Sequence, residues 1–389
     1  MENVINNECH QSDENVNQNN GLVESSFLTK NSATNSDKGV LRIRWAPIRT
    51  PLERRLQTAA TAFWILLFST STVITTYLLY YLVCYTAHGW IVTAMYVAWW
   101  AYDFNTCNEG GRRWHWFRNM TVWKYVVQYF PMMLVKTADL DPNRNYICGS
   151  HPHGLICCGV AGMFASGNQD PPKLFPGIFF RLLTLREFYF FPGVREILLW
   201  AGMSAATKEN LDAIMGRMRD GIRPKGQATV IVVGGAREVL RADITNRIVL
   251  VILKRKGFIK KALQYGADLV PMFTFNETFL ADPMFPDSDG KFIKVLQEWL
   301  TTTIRCPLLY FMGRGIFQYS FGLLPKRLPL TAVVGKPINV KDFGIPPNGC
   351  QPTDEQIDKV HAEYLKALRD IYDQYNPIYG KKDTPLVFC

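Results

Sequence analysis

Charged side chains are absent between Leu56 and Tyr102, a run of 47 residues without one Asp, Glu, Lys or Arg. Other absences narrow the field first. The nine cysteines among 389 residues include no Cys-x-x-Cys pair and no regular spacing. A zinc ribbon and a disulfide framework are therefore not indicated, and reduced, cytosolic thiols are expected. The N-terminus, MENVINNECHQSDENVNQNN, lacks an apolar core segment, so it does not read as a cleaved secretory signal. No internal repeat is present, and no zinc-finger, RNP or helix-turn-helix pattern, so nucleic acid is not an expected partner. Histidine is scarce, with six in the chain. A mean hydropathy of −0.03 excludes a chain made mostly of membrane helices but leaves room for an anchor.

A membrane-crossing helix needs about 20 apolar residues. The uncharged run has room for two, with Thr86-Ala87-His88-Gly89 as the turn, one span over about Ala59–Tyr85 and a shorter one over Trp90–Tyr102. A hairpin buried in a soluble core is the bland alternative, but soluble cores rarely hold so long an uncharged run. Arg42, Arg44, Arg49, Arg54 and Arg55 precede it and Arg112 and Arg113 follow. Basic flanks on both sides place both ends in the cytosol, whether the second segment spans or re-enters. The sequons at Asn119 and Asn276 would then stay unglycosylated. Residues 1–39 carry six acidic and two basic groups and read as a disordered polar tail. The remainder, with 41 basic and 27 acidic residues, suits an anionic partner, whether nucleic acid, a lipid surface or a phosphate-bearing cofactor, or reflects plain solubility at high pI. The expected organisation is a tail over 1–39, a basic segment over 40–55, a membrane-embedded helical hairpin over 56–102 and a catalytic domain over 103–389.

From Asp103 onward the pattern is α/β. Short apolar runs bounded by Gly or Pro read as buried strands at Tyr146–Cys148, Thr229–Val233, Leu269–Phe275, Leu308–Met312 and Thr331–Val334. Lys208–Arg219 has helical period. Thr353 and Gln356 form a capping box that opens an amphipathic helix through Ile357, Val360, Tyr364, Leu368 and Ile371, expected to end before Pro377. A mixed central sheet with flanking helices fits this order.

Three constellations bear chemistry. In Tyr146-Ile-Cys-Gly-Ser-His151-Pro152-His153-Gly154, two histidines follow a strand and precede the apolar run Leu155–Phe164. Gly154 permits a tight turn. A helix start offers N–H donors and a field that disfavours imidazolium, so His153 should stay neutral and serve as a base beside oxyanion donors. Two readings compete: a metal pair, for which no third ligand stands at suitable spacing, and two histidines satisfied in a turn. In Val230-Ile-Val-Val233-Gly234-Gly235-Ala236-Arg237-Glu238, a strand runs into a Gly-Gly turn. Glu238 then falls at a strand's carboxyl end, able to orient a histidine, or acts as a plain helix-start carboxylate. Around Gly257, the cations Lys254, Arg255, Lys256, Lys260 and Lys261 could hold the phosphates of coenzyme A, touch anionic headgroups, or form a solvated face.

These blocks, in this order, resemble the type 2 diacylglycerol acyltransferase family, which includes monoacylglycerol and wax alcohol acyltransferases. The likeness runs through Tyr129-Phe130-Pro131, Arg144-Asn145-Tyr146, His151 to Gly154, Phe175-Pro-Gly177 and Val194-Arg-Glu196. It continues with Gly234-Gly-Ala-x-Glu238, Arg255-Lys-Gly-Phe258, Gly266 to Pro271, Gly313-Arg-Gly315 and Val333-Val-Gly-x-Pro337, covering roughly residues 55–375. It implies an acyltransferase of the endoplasmic reticulum and lipid droplet that moves a fatty acyl group from acyl-CoA to an acylglycerol hydroxyl. His153, with His151 beside it, maps onto the family's histidine element and Glu238 onto its glutamate. Phe275-Asn276-Glu277 stands where many members have Phe-Gly-Glu, and Arg237 where a small or neutral residue is frequent. The phospholipid-making branch places Asp five residues after a His; here those positions hold Ile156 and Cys158.

The expected mechanism has His153 as general base, Glu238 steadying the imidazolium and backbone N–H groups at Gly154, Gly234 and Gly235 holding the oxyanion. Arg255, Lys256 and Lys260 bind the phosphates of acyl-CoA, a co-substrate; no cofactor or metal is required. Substrates and membrane lipid are the expected partners, and a homo-oligomer stays open. Fatty alcohol or retinol as acceptor, and an inactive membrane-anchored lipid-binding scaffold, are the alternatives.

Overall fold

The computed structural model describes residues 43–389 except 48, 155, 168–170, 217–224, 236–237, 239–246, 284–310 and 344–350. The tail over 1–39, Arg42, Arg237, the end of the helix expected at Lys208–Arg219 and the start of the strand expected at Leu308 lie outside the described residues.

Two helices open the fold. α1 (Leu52–Tyr85) starts behind Pro51 and runs 34 residues; α2 (Gly89–Tyr102) follows after three residues and runs 14. Gly89 allows the close approach: a Cβ there would stand 2.0 Å from the Leu82 carbonyl oxygen. The start of α1 packs on the rest of the chain, with Gln57, Thr58, Ala60, Thr61 and Ala62 buried and Gln57 accepting from Arg327 at 2.7 Å. Farther along, Val73, Ile74, Tyr77 and Leu78 are exposed. α1 is long and apolar enough to cross a membrane. Helix α3 (Thr121–Tyr129) then leads into the sheet.

The strands are β1 (Met133–Lys136), β2 (Tyr146–His151), β3 (Phe179–Thr184), β4 (Ser204–Ala205), β5 (Gln227–Val232), β6 (Ile248–Leu250), β7 (Asp268–Phe275), β8 (Asp282–Pro283), β9 (Phe311–Met312), β10 (Thr331–Val334) and β11 (Leu386–Phe388). Seven form a mixed sheet in the order β1-β10-β7-β2-β5-β3-β4. From β7 to β4 the strands are parallel; β10 meets β7 antiparallel, and β1 runs with β10. Parallel strands must be covered on both faces, and they are. Tyr146, Cys148, Val230 and Met272 join a core with α3, with the segment after β2, and with α5 (Val194–Trp200). That segment is α4 (Cys158–Val160), continued by a wider turn over Ala161–Ala165. Ile147, Leu269 and Phe273 face a second core with α6 (Lys208–Met215), α7 (Gly257–Tyr265) and α8 (Asp354–Tyr379). The mixed sheet with flanking helices stands as expected.

Helix α8 opens on the Thr353–Gln356 capping box but runs through Pro377 to Tyr379, a correction to the expected end. Proline removes one intrahelical hydrogen bond. Pro377 and Asp373, whose carbonyl loses it, are both exposed, so the freed carbonyl is not shut in an apolar core. Arg195, fully buried, reaches Asp103 at the end of α2 and Glu196 at 3.2 Å, which ties the apolar helices to the sheet's flank.

Candidate active site

Three neighbouring parallel strands, β7, β2 and β5, deliver the site from their carboxyl ends, where open α/β sheets build their clefts. β2 ends at His151, β5 leads through Gly234 and Gly235 to Glu238, and β7 leads to Glu277.

His151 points into the core. It is fully buried, its Nε2 lies 3.1 Å from the Tyr364 hydroxyl on α8, and that hydroxyl donates to the Gly149 carbonyl at 3.1 Å. Gly149 makes the approach possible, since a Cβ there would stand 2.1 Å from the Tyr364 oxygen. Burial pushes the His151 pKa down to about 3, so the ring is neutral.

His153 is partly exposed. Its Nδ1 lies 3.0 Å from the Gly154 carbonyl oxygen, an acceptor only, so Nδ1 carries the proton. Nε2 has no hydrogen-bond partner among the described residues and keeps its lone pair. Burial lowers the pKa, partly offset by the Gly154 carbonyl, which favours the charged ring. Cys157, with positive φ, closes the turn: its thiol donates to the His153 carbonyl at 3.1 Å. Burial, then the nearby carboxylates, hold that thiol far above the ordinary range, so it is no nucleophile.

Glu238 is buried, and its partner differs from the expected one. One oxygen accepts the main-chain N–H of His153 and the other that of Val251 at 3.1 Å. Both of these donors are backbone groups, and the imidazole is held by the Gly154 carbonyl instead. Gly234 gives it room: a Cβ there would sit 1.9 Å from Oε2. Gly235 takes φ +60° to turn the chain. Burial raises the Glu238 pKa to about 7 against the pull of the two amides and of Arg255.

The sequence reading gave no role to a second carboxylate. Glu277 is buried beneath the same loop and accepts the Gly159 N–H at 2.8 Å, while its other oxygen has no partner. Burial raises its pKa to about 7; the Gly159 and Cys158 amides oppose this. The donors expected at the helix start are thus taken by Glu277. Gly154, at φ +58°, lies so close that a Cβ would stand 2.7 Å from the Glu277 Cγ. Its own N–H is without a partner among the described residues. Asn276 holds φ +68°, a conformation glycine favours and asparagine tolerates. Its amide donates to the Pro329 and Tyr379 carbonyls at 2.9 and 3.0 Å. The signal for Glu277 was its place right after a strand end; Tyr364 gave none, reading as one more apolar position of α8.

The cations around Gly257 divide. Arg255 is close enough to Glu238 to lower its pKa. Lys256 pairs with Asp358 and Lys261 with Asp212, while Lys260 is exposed.

Residues 82–389 match the family model described as diacylglycerol acyltransferase. The chain is 38% identical over 340 residues to mouse 2-acylglycerol O-acyltransferase 1, covering 87% of this chain and 97% of the relative. It is 36% identical over 337 residues to zebrafish diacylglycerol O-acyltransferase 2, covering 86% and 89%. Diacylglycerol O-acyltransferase 2A of Umbelopsis ramanniana is 38% identical over 341 residues, with 87% and 91% covered. With a match this long and relatives this similar, the chain belongs to the diacylglycerol acyltransferase family.

Proposed function

We propose that this enzyme moves a fatty acyl group from acyl-CoA to the free hydroxyl of diacylglycerol or monoacylglycerol, with triacylglycerol as the product from diacylglycerol. Acyl-CoA is a co-substrate, and the reaction needs no metal or other cofactor. The observation that carries the reading is the His153 imidazole, its Nδ1 held beside the Gly154 carbonyl and its Nε2 without a partner among the described residues, at the carboxyl ends of the central strands.

The acceptor hydroxyl gives its proton to Nε2 as its oxygen attacks the thioester carbonyl. The positive charge on the ring is shared with the Gly154 carbonyl. The tetrahedral oxyanion is held by backbone N–H groups at Gly154, Gly234 and Gly235. Collapse breaks the carbon–sulfur bond, coenzyme A leaves as thiolate and takes up a proton, and the ester remains. General-base help of this kind is worth about 10²–10⁴ in rate. Glu238 and Glu277 act through the loop: Glu238 accepts the N–H of His153 itself, and Glu277 accepts the Gly159 N–H farther along. Arg255 and Lys260 receive the coenzyme's phosphates; Lys256, paired with Asp358, contributes less.

The enzyme works at a bilayer. At 1.5 Å per residue, α1 extends about 51 Å and α2 about 21 Å, against a hydrocarbon core of about 30 Å. α1 anchors the chain, α2 re-enters without crossing alone, and residues 103–389 form the cytosolic catalytic domain of an endoplasmic reticulum enzyme with access to lipid droplets. Membranes carrying the protein, incubated with labelled acyl-CoA and a panel of monoacylglycerol, diacylglycerol, fatty alcohol and retinol, test this. Labelled triacylglycerol or diacylglycerol is expected; product from alcohol or retinol alone reassigns the acceptor, and no product with any acceptor leaves the scaffold reading standing.

A further inference from the structure

Buried or half-buried arginines normally have a carboxylate beside them, as Arg195 has Asp103 and Glu196 and Arg144 has Asp268. Arg113, Arg118 and Arg181 do not, and among the described residues neither do Arg314, Arg327 and Arg369. Arg113, Arg118 and Arg181 are each only partly exposed, and no Asp or Glu pairs with any of them among the described residues. They are close neighbours. Arg113 Cζ lies 3.9 Å from the Phe179 ring centroid and Arg181 Cζ lies 5.3 Å from the same centroid. Gly202 provides the space: a Cβ there would stand 2.9 Å from Arg113 Nε and 3.3 Å from an Arg118 nitrogen.

Their bonds are unequal. Arg118 donates to the carbonyls of Ala201, Phe164 and Ser166, the latter two at 3.2 and 3.1 Å, and so caps the far end of the segment that begins at Cys158. Arg113 donates to the Phe180 carbonyl. The Arg181 guanidinium has a ring contact and no hydrogen bond among the described residues. Three like charges held together are unfavourable: burial first, then Arg118 and Arg181, lowers the Arg113 pKa to about 9. A guanidinium fork is shaped to grip phosphate oxygens in pairs.

The surroundings narrow the source. Arg113 follows the uncharged segment by eleven residues, and Phe179, Trp114 and Trp116 beside it are exposed by 38%, 44% and 63%. Aromatic rings next to cations at the end of a membrane segment mark the headgroup layer.

We propose that Arg113 and Arg181, clasping Phe179 with Arg118 behind them, form a binding site for a phosphate group. The group is presented by a phospholipid headgroup of the bilayer or by coenzyme A. The site is separate from the Arg255–Lys260 segment and lies at the opposite end of the helical segment that starts at the His153 loop.

The test uses the full chain in neutral detergent and follows its thermal unfolding midpoint, so it does not depend on turnover. One arm adds phosphatidic acid in mixed micelles, a second adds coenzyme A and a third inorganic phosphate. Saturable stabilisation is expected in the first or second arm, and which arm responds identifies the source. Arg181→Gln should weaken that response about tenfold or more, the worth of a charge-assisted contact. Arg181→Lys keeps the charge, lacks the fork and should fall between. The proposal is overturned if no arm stabilises the wild-type chain, or if Arg181→Gln responds as the wild type does. If the glutamine variant does not fold, the lysine variant decides: a response equal to the wild type contradicts the site.

Discussion

Glu277 offers the sharpest check on the electrostatics under the loop. Its carboxyl is 1% exposed, one oxygen accepts the Gly159 N–H, and the other has no partner. Burial raises its pKa from 4.5 to about 7. A raised carboxyl binds its proton more tightly in the folded chain than in the unfolded one. Its contribution to stability is therefore full below pH 4.5 and is lost as pH rises through 7. The loss across that window is on the order of 3 kcal/mol. Glutamine cannot ionise, and its carbonyl can take the place of the bonded oxygen while its NH₂ fills the unpartnered position. Glu277→Gln should thus match the wild type near pH 5 and exceed it at pH 8 by about 1–3 kcal/mol. Glu277→Ala loses the acceptor as well and should fall below the wild type throughout. The assay is the thermal unfolding midpoint of detergent-solubilised protein from pH 5 to 8. Parallel curves for wild type and glutamine variant would show that Glu277 ionises freely, and the account of its burial would fail.

Glu238→Gln differs, because both oxygens accept N–H groups; one amide must face an NH₂, and turnover should drop at least tenfold while Glu277→Gln keeps most of it. The loss of one buried acceptor is worth about 1–3 kcal/mol, which sets that scale. Gly149→Ala brings a Cβ to 2.1 Å from the Tyr364 oxygen; a destabilisation of about 1–3 kcal/mol is expected, and it should not add to that of Tyr364→Phe in a double-mutant cycle. Arg255→Ala should raise KM for acyl-CoA more than Lys256→Ala does, measured by initial rates. Because burial lowers the His153 pKa, its acid limb in the kcat/KM profile should lie below the ordinary imidazole value of about 6.5.

Much of this was legible in the sequence where one physical signal dominated. The strands at Tyr146–Cys148, Thr229–Val233, Leu269–Phe275 and Thr331–Val334 are apolar on both faces, as strands inside a covered sheet must be. β3 was missed because Arg181 interrupts its apolar run, and β1 because it is short and ends in Lys136. The His153 loop announced itself through rare histidines and a turn glycine. What it rests on did not. Local pattern cannot say that a carboxylate 118 positions from Gly159 will accept its N–H, or that Glu238 will reach the main chain of His153 and not its ring. Such pairings depend on strand order, here β7-β2-β5, which sets which loops converge.

The account turns on the ring of His153. Turnover of labelled acyl-CoA with diacylglycerol by His153→Gln, in membranes where its level and unfolding midpoint equal the wild type's, measures this directly. A fall of about 10²-fold or more is predicted; turnover close to the wild-type rate would contradict the assignment of this imidazole as the base.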